Sequence, residues 1–142
     1  MTHLCENWQK AIDLLQSGGY TCVLCREDTV YTTTERGVKP LVRWLTEKAA
    51  VQGFYAADKV VGKGAAALMI AGGVKTVYAD VISEPAVELF DQYSINVEYD
   101  KKVINIINRQ GDGICPVEQR CTKCDTIEEC LQEIDDFVKS IM

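Results

Sequence analysis

The chain has 142 residues, a formal net charge of −6 and 47% hydrophobic residues, enough apolar material for one domain-sized core. A net negative field repels phosphate backbones and no Lys/Arg-rich stripe overrides it, so no nucleic-acid partner is expected. No run of about 18 apolar residues exists, so no membrane span or membrane partner is expected.

The first residues, Met1-Thr2-His3-Leu4-Cys5-Glu6, carry neither a basic region nor an apolar one. No secretory leader is read there, and a cytoplasmic location is expected. Leu4, Trp8, Ala11, Ile12 and Leu15 recur at helical spacing and predict a helix over about 3–17, stopped by Gly18-Gly19. Tyr20 to Cys25 and Thr29 to Thr33 are β-branched and aromatic, and they flank Arg26-Glu27-Asp28; they read as a hairpin.

Gly37 and Pro40 punctuate the entry to a second helix, Leu41 to about Ala50. Phe54 to Ala57 reads as a short strand. Gly62-Lys63-Gly64 opens an Ala-rich helix, Ala65 to Ala71, closed by Gly72-Gly73. Val74 to Val81 is a strand with almost no charge in its interior, a pattern of burial on both faces. Ser83 caps the next helix, with Pro85 in its first turn and Ala86, Leu89, Phe90 and Tyr93 as its apolar stripe. Ile95 to Tyr99 alternates as a strand does, and Val103 to Ile107 is strand-like again.

A Gly/Cys-rich loop follows. Thr126 with Glu129 makes a capping box for a final helix, whose Ile127, Leu131, Ile134, Val138 and Ile141 keep helical spacing. Strands alternating with helices predict an α/β fold: three layers, α-β-α, around a mixed central sheet. The whole of 1–142 reads as one domain, with 121–142 a C-terminal extension that carries the terminal helix.

The seven cysteines form an odd set in a chain expected to stay in a reducing compartment, so they read as free thiols or ligands and not as a disulfide framework. Cys22 and Cys25 lie three apart on a strand and face opposite sides, so they cannot chelate together. Cys121-Thr122-Lys123-Cys124, with Cys115, has the spacing of a structural metal site, and a metal sensor is one reading of it. Cys130 belongs to the apolar face of the last helix and reads as core. Trp8, Trp44, Phe90 and Phe137 lie on or near apolar stripes, and packing accounts for them.

Ser83-Glu84-Pro85-Ala86-Val87-Glu88-Leu89 follows a buried strand and opens a helix. This resembles the Glu-Pro-Cys-x-x-Cys context of the zinc-dependent cytidine and tRNA-adenosine deaminases. Glu84-Pro85 is retained, while Ala86 and Leu89 stand where the two ligating cysteines would be. The His-x-Glu half of that motif would fall near Gly62-Lys63-Gly64, where neither ligand nor proton shuttle is present. Over roughly residues 10–120 the chain resembles domain-of-unknown-function family 1893, through Arg36-Gly37-Val38-Lys39-Pro40-Leu41, Asp58-Lys59-Val60-Val61-Gly62-Lys63, Tyr78-Ala79-Asp80-Val81-Ile82-Ser83 and Gly113-Ile114-Cys115-Pro116-Val117-Glu118. The resemblance implies a cytidine-deaminase-like fold lacking the zinc motif. Zinc deamination needs three His/Cys ligands and a glutamate; the single histidine is His3, so no metal site and no cofactor are assigned.

The candidate ligand-binding residues are Asp58, Gly62, Lys63, Gly64, Ser83 and Glu84. Helix starts offer free N–H groups and a dipole to an anion, and Lys63 adds charge. A second reading of the same glycines and alanines is that they let a central helix lie close to the sheet. Glu84 sits at a strand's C-terminal end, where open α/β sheets place ligands, or is a favourable acid in a first helical turn; Asp80 joins it if it points into the same cleft. Cys115 would stand at the N-cap of a turn begun by Pro116, with the Glu118 charge opposing its thiolate. The leading expectation is a small anionic or nucleotide-like ligand between the two helix starts. The rivals are a metal-independent enzyme using Lys63, Glu84 or Cys115, and a homo-oligomeric interaction module.

Overall fold

The computed structural model describes residues 2–27, 29–35, 37–47, 53–108 and 110–141. Asp28 of the first turn, Arg36 of the first family motif and residues 48–50 at the expected end of the second helix lie outside the described residues.

The amphipathic N-terminal segment forms α1 (Thr2–Ser17), which buries Ala11 and Leu15 against Val23, Cys25 and Ala57. The hairpin is β1 (Cys22–Arg26) and β2 (Thr29–Thr33), antiparallel, with Cys22 opposite Thr33. After α2 (Lys39–Glu47), β3 (Tyr55–Val61) lies antiparallel to β1. α3 (Lys63–Gly72), β4 (Thr76–Ser83), α4 (Glu84–Gln92) and β5 (Asn96–Val103) follow. β3, β4 and β5 are parallel neighbours, which gives the mixed order β2-β1-β3-β4-β5. Two helices close the described chain, α5 (Pro116–Thr122) and α6 (Ile127–Ser140).

α1 packs on β1 and β3 on one face of the sheet. The larger core lies on the other face, where Leu24, Ala56, Val77 and Ile82 meet Leu68, Met69, Leu89 and Phe90. α3 is apolar all round because α2, α4, α5 and α6 all pack on it; residues 64–69 are all buried. Gly73 ends it in the left-handed region at φ 82, its N–H turned back to Ile70 and Met69, as glycine readily allows.

The three layers and mixed sheet are those expected, with differences in the strands. β3 continues past Ala57 to Val61, so Asp58 and Lys59 belong to a strand and not to a loop. β4 is fully buried on one face only: Val77 and Ala79 are in the core, while Tyr78 and Asp80 are half-buried. α1 covers β1 and β3 but leaves the neighbouring β4–β5 surface open. The strand expected over 103–107 is absent. There the Ile106 N–H is bound to Glu118 Oε2 at 2.6 Å and its carbonyl accepts Cys115 N–H at 2.8 Å. With both groups spent across a loop, only an isolated bridge, Ile107 to Ile114, forms.

Candidate functional site

β3 and β4 run parallel, so the turns that leave them bring the starts of α3 and α4 to one end of the sheet. Ser83 ends β4 and caps α4, its Oγ accepting Ala86 N–H at 3.3 Å. Gly62 stands at the N-cap of α3 with extended backbone. The predicted residues Gly62, Lys63 and Ser83 therefore do converge.

The group at their centre is Glu118, a buried carboxylate only 1% exposed. Pro116 opens α5 without needing an N–H donor, and the same first turn carries Glu118 inward. Its Oε1 accepts the Lys63 backbone N–H at 2.8 Å and the Ser83 hydroxyl at 3.1 Å; its Oε2 accepts Ile106 N–H. A carboxylate held by three donors is a strong arrangement in a low dielectric. The Ser83 hydroxyl donates its proton to Glu118 while an Oγ lone pair accepts the α4 cap bond. The anion position at the α3 start is filled by the chain itself.

The glycines follow from this. A Cβ on Gly62 would lie 3.1 Å from Glu118 Oε1 and 3.2 Å from Ile106 Cγ1, and one on Gly64 would lie 2.4 Å from Val117 Cγ1. They admit α5 against the helix start; Gly64 makes room for α5, not for the sheet. The Lys63 ammonium turns away and donates to Cys124 O at 2.7 Å.

The remaining candidates stand apart. Asp58 hydrogen-bonds with the Cys22 thiol and accepts Val60 N–H at 3.3 Å. Burial pushes its carboxyl up to about 7, those hydrogen bonds oppose the shift, and Asp80 adds to it. The same burial, with the Asp58 charge, raises the Cys22 thiol well above its usual value. Glu84 is exposed in the first turn of α4. Ala86 and Leu89, at the positions of the deaminase cysteines, are buried core. Cys115 is the N-cap of α5, but its thiol makes no capping bond and the helix has only 7 residues. The Cys121 and Cys130 sulfurs reach each other's carbonyls at 4.0 and 3.9 Å, and the Cys124 sulfur reaches Arg120 O at 3.5 Å, none of them bonding to Cys115. Among the described residues no group of three His, Cys, Asp or Glu side chains is placed to hold a metal ion.

Among the open depressions formed by the described residues, two bear on these elements. A cleft of about 220 Å³ lies beside the helix starts, lined by Lys63, Pro85, Glu88, Leu89, Cys124 and Asp125 among others. A larger groove of about 480 Å³ lies on the uncovered β4–β5 surface, where Lys59, Tyr78, Asp80, Asp100 and Lys101 line it beside Gln16 of α1. Tyr78 is fixed there: its hydroxyl donates to Asp80 Oδ1 at 3.0 Å, Gln16 Nε2 donates to it at 3.3 Å, and Trp8 packs against its ring. Asp80 thus faces this groove, away from the Glu118 cluster. The sequence reading missed both Glu118 and this groove. The polar residues two apart on β4, Tyr78 and Asp80, were a usable signal for the groove; a glutamate in a first turn was none for the buried carboxylate.

The sequence profile of a domain of unknown function, DUF1893, matches residues 10–138, reaching into α6 and beyond the residue-120 limit of the sequence resemblance. No curated protein matches the chain. Among solved structures, a DUF1893 family protein from Thermotoga maritima superposes with a TM-score of 0.86 at 24% identity, covering 92% of this chain and 89% of that one. A dCMP deaminase from the cyanophage S-TIM5, in complex with dCMP and dUMP, gives 0.46 at 11% identity over 70% of this chain and 98% of its own. A diaminohydroxyphosphoribosylaminopyrimidine deaminase/reductase from Thermotoga maritima gives 0.43 at 16% identity over 70% and 37%.

Proposed function

The chain belongs to the DUF1893 family, and from that premise we propose that it binds a small polar metabolite with an anionic group. The observation that carries this reading is the 480 Å³ groove over β3, β4 and β5, whose size falls within the usual range for small-ligand sites, about 300–1,000 Å³. Lys59 and Lys101 offer cations to a phosphate or carboxylate. Asp80 and Asp100 accept hydrogen bonds from hydroxyl or amino groups, a pairing that suits nucleotides and amino-acid-like zwitterions. An anion at the α3 start would have to displace Glu118, so the seat of the ligand shifts from the helix starts to the groove.

The test is titration of the protein with nucleoside monophosphates and zwitterionic metabolites, read by melting temperature and calorimetry. Binding by at least one compound, lost in the Lys59→Ala/Lys101→Ala variant and kept in Lys63→Ala, supports the groove. Binding lost in Lys63→Ala alone returns the site to the α3–α4 cleft. No binding across the panel overturns the reading.

A further inference from the structure

The sheet ends in two unlike edges. β2 has 5 residues, mostly half-buried. β5 has 8 residues, and six of them are exposed. β4 takes one side of β5 in a single register, from Thr76 opposite Asn96 to Ser83 opposite Val103. Every second residue of a strand paired in this way points its N–H and C=O to the other side. Among the described residues no backbone hydrogen bond reaches β5 from outside β4. Tyr99 on this strand is 40% exposed, and Ile104, just past its end, is 74% exposed.

Edge strands are commonly guarded by proline, bulges or lysines. β5 has no proline and no bulge, and its charges come in two blocks, Glu98 and Asp100 followed by Lys101 and Lys102. A second copy of the strand laid parallel and in register would set like charge against like. Laid antiparallel, it sets the acidic half against the basic half. Opposite residues of an antiparallel ladder share a face, so a two-fold axis between identical strands falls on one residue and its own copy. Tyr99 on the axis would set Glu98 against Asp100 on both sides. Lys101 on the axis would leave Asn96 and Val97 beyond the end of the neighbouring strand. Asp100 on the axis sets Glu98 against Lys102, Tyr99 against the Lys101 stem, Val97 against Val103 and Asn96 against Ile104, each pair twice.

We propose that β5 is a dimerisation edge: it pairs antiparallel with β5 of a second copy about a two-fold axis at Asp100, joining the two five-stranded sheets into one. The unpaired N–H and C=O groups of the two edges satisfy each other, and Tyr99 and Ile104 are covered. The two Asp100 carboxylates face each other and oppose the pairing. With the small area of an edge contact, that puts the dissociation constant in the micromolar range. Asp100 and Lys101 also line the groove over β3, β4 and β5, so pairing extends its floor onto the second copy. The pairing stands independently of what the groove holds.

The experiment is sedimentation of the full chain over concentrations that bracket the micromolar range, where a reversible monomer–dimer equilibrium is expected. Lys102→Glu sets glutamate against Glu98 and should weaken the dimer on the order of tenfold. The double variant Glu98→Lys/Lys102→Glu rebuilds the pair with its signs exchanged and should return the affinity to within a few-fold of wild type. Asp100→Asn removes the like-charge contact on the axis and should tighten the dimer a few-fold. Asp100→Cys, oxidised with glutathione disulfide, should link two chains through position 100, as mapped by mass spectrometry, whereas Glu98→Cys should not. A monomer at every concentration overturns the proposal; so does a dimer that Lys102→Glu leaves unchanged and Asp100→Cys does not link. The substituted positions are all exposed, and the wild-type sedimentation result stands whether or not a variant folds.

Discussion

Glu118 Oε1 accepts the backbone N–H of Lys63 at 2.8 Å across 55 residues of sequence. A side chain of α5 thereby does for α3 what an N-cap residue does locally elsewhere, for Gly62 at the N-cap position has no side chain to offer. Glu118→Ala should leave three buried donors without acceptors, and the expected loss is about 3 kcal/mol or more. Glu118→Gln keeps the shape but turns an amide donor towards one of these donors, at about 1–3 kcal/mol. Urea unfolding of both variants checks the order; equal stability of Glu118→Ala and wild type would remove the carboxylate from its central place.

Gly64→Ala tests the close approach of α5 to α3. The added carbon meets Val117 Cγ1 at 2.4 Å, and overpacking of that kind costs about 1–3 kcal/mol. The double variant Gly64→Ala/Val117→Ala should recover part of the loss, so its cost falls below the sum of the single costs. A strictly additive result would mean that α5 shifts freely.

Asp58 makes stability depend on pH in a stated direction. Its folded carboxyl is raised to about 7, chiefly by burial, while the unfolded carboxyl titrates near its ordinary value of about 4. Below that value the group is neutral in both states. As pH rises to about 7 the unfolded chain releases its proton first and the fold loses stability; above that the effect is constant. Asp58→Asn should flatten this slope and gain on the order of 1–2 kcal/mol at pH 8, less than the full shift implies because Asp58 retains some solvent contact. Melts of both proteins from pH 4 to 9 give the stability of Asp58→Asn minus that of wild type, which should rise with pH; a difference that falls would reverse the assignment.

The α6 start is a local device. Thr126 Oγ1 accepts Glu129 N–H at 3.1 Å and donates to Glu129 Oε1 at 3.2 Å, while Glu129 also reaches Asp125 N–H. Thr126→Ala should cost about 1 kcal/mol, and Thr126→Ser should restore most of it. Chemical denaturation of the three proteins measures this.

What was legible in the sequence is what neighbours decide. The Ser83 cap with Pro85, the capping box at Thr126, the opposite faces of Cys22 and Cys25, and Cys130 as core all follow from spacing within one or two turns. Glu118 was read only as a charge near Cys115, because its donors lie 55, 35 and 12 residues away. The full length of β3 is hidden because the charged Asp58 and Lys59 interrupt its apolar run, although the strand pairs through Asp58 on both sides, with Cys22 and Ala79. The groove is not legible because the apolar run of β4 signals burial on both faces, and how far α1 reaches across the sheet is not written in β4.

The placement of Glu118 also orders events in time. As the polypeptide is made from its N-terminus, all five strands exist once Val103 has emerged, yet the Lys63 N–H, the Ser83 hydroxyl and the Ile106 N–H still lack their shared acceptor. A nascent chain stopped before α5 would hold a complete sheet with the α3 and α4 starts unsatisfied, and Val117, Cys121 and Ile134 would not yet cover α3. The last cooperative step of maturation waits on a residue outside the sheet, so proteolytic resistance during synthesis should rise abruptly once Glu118 has docked, and not gradually as strands are added.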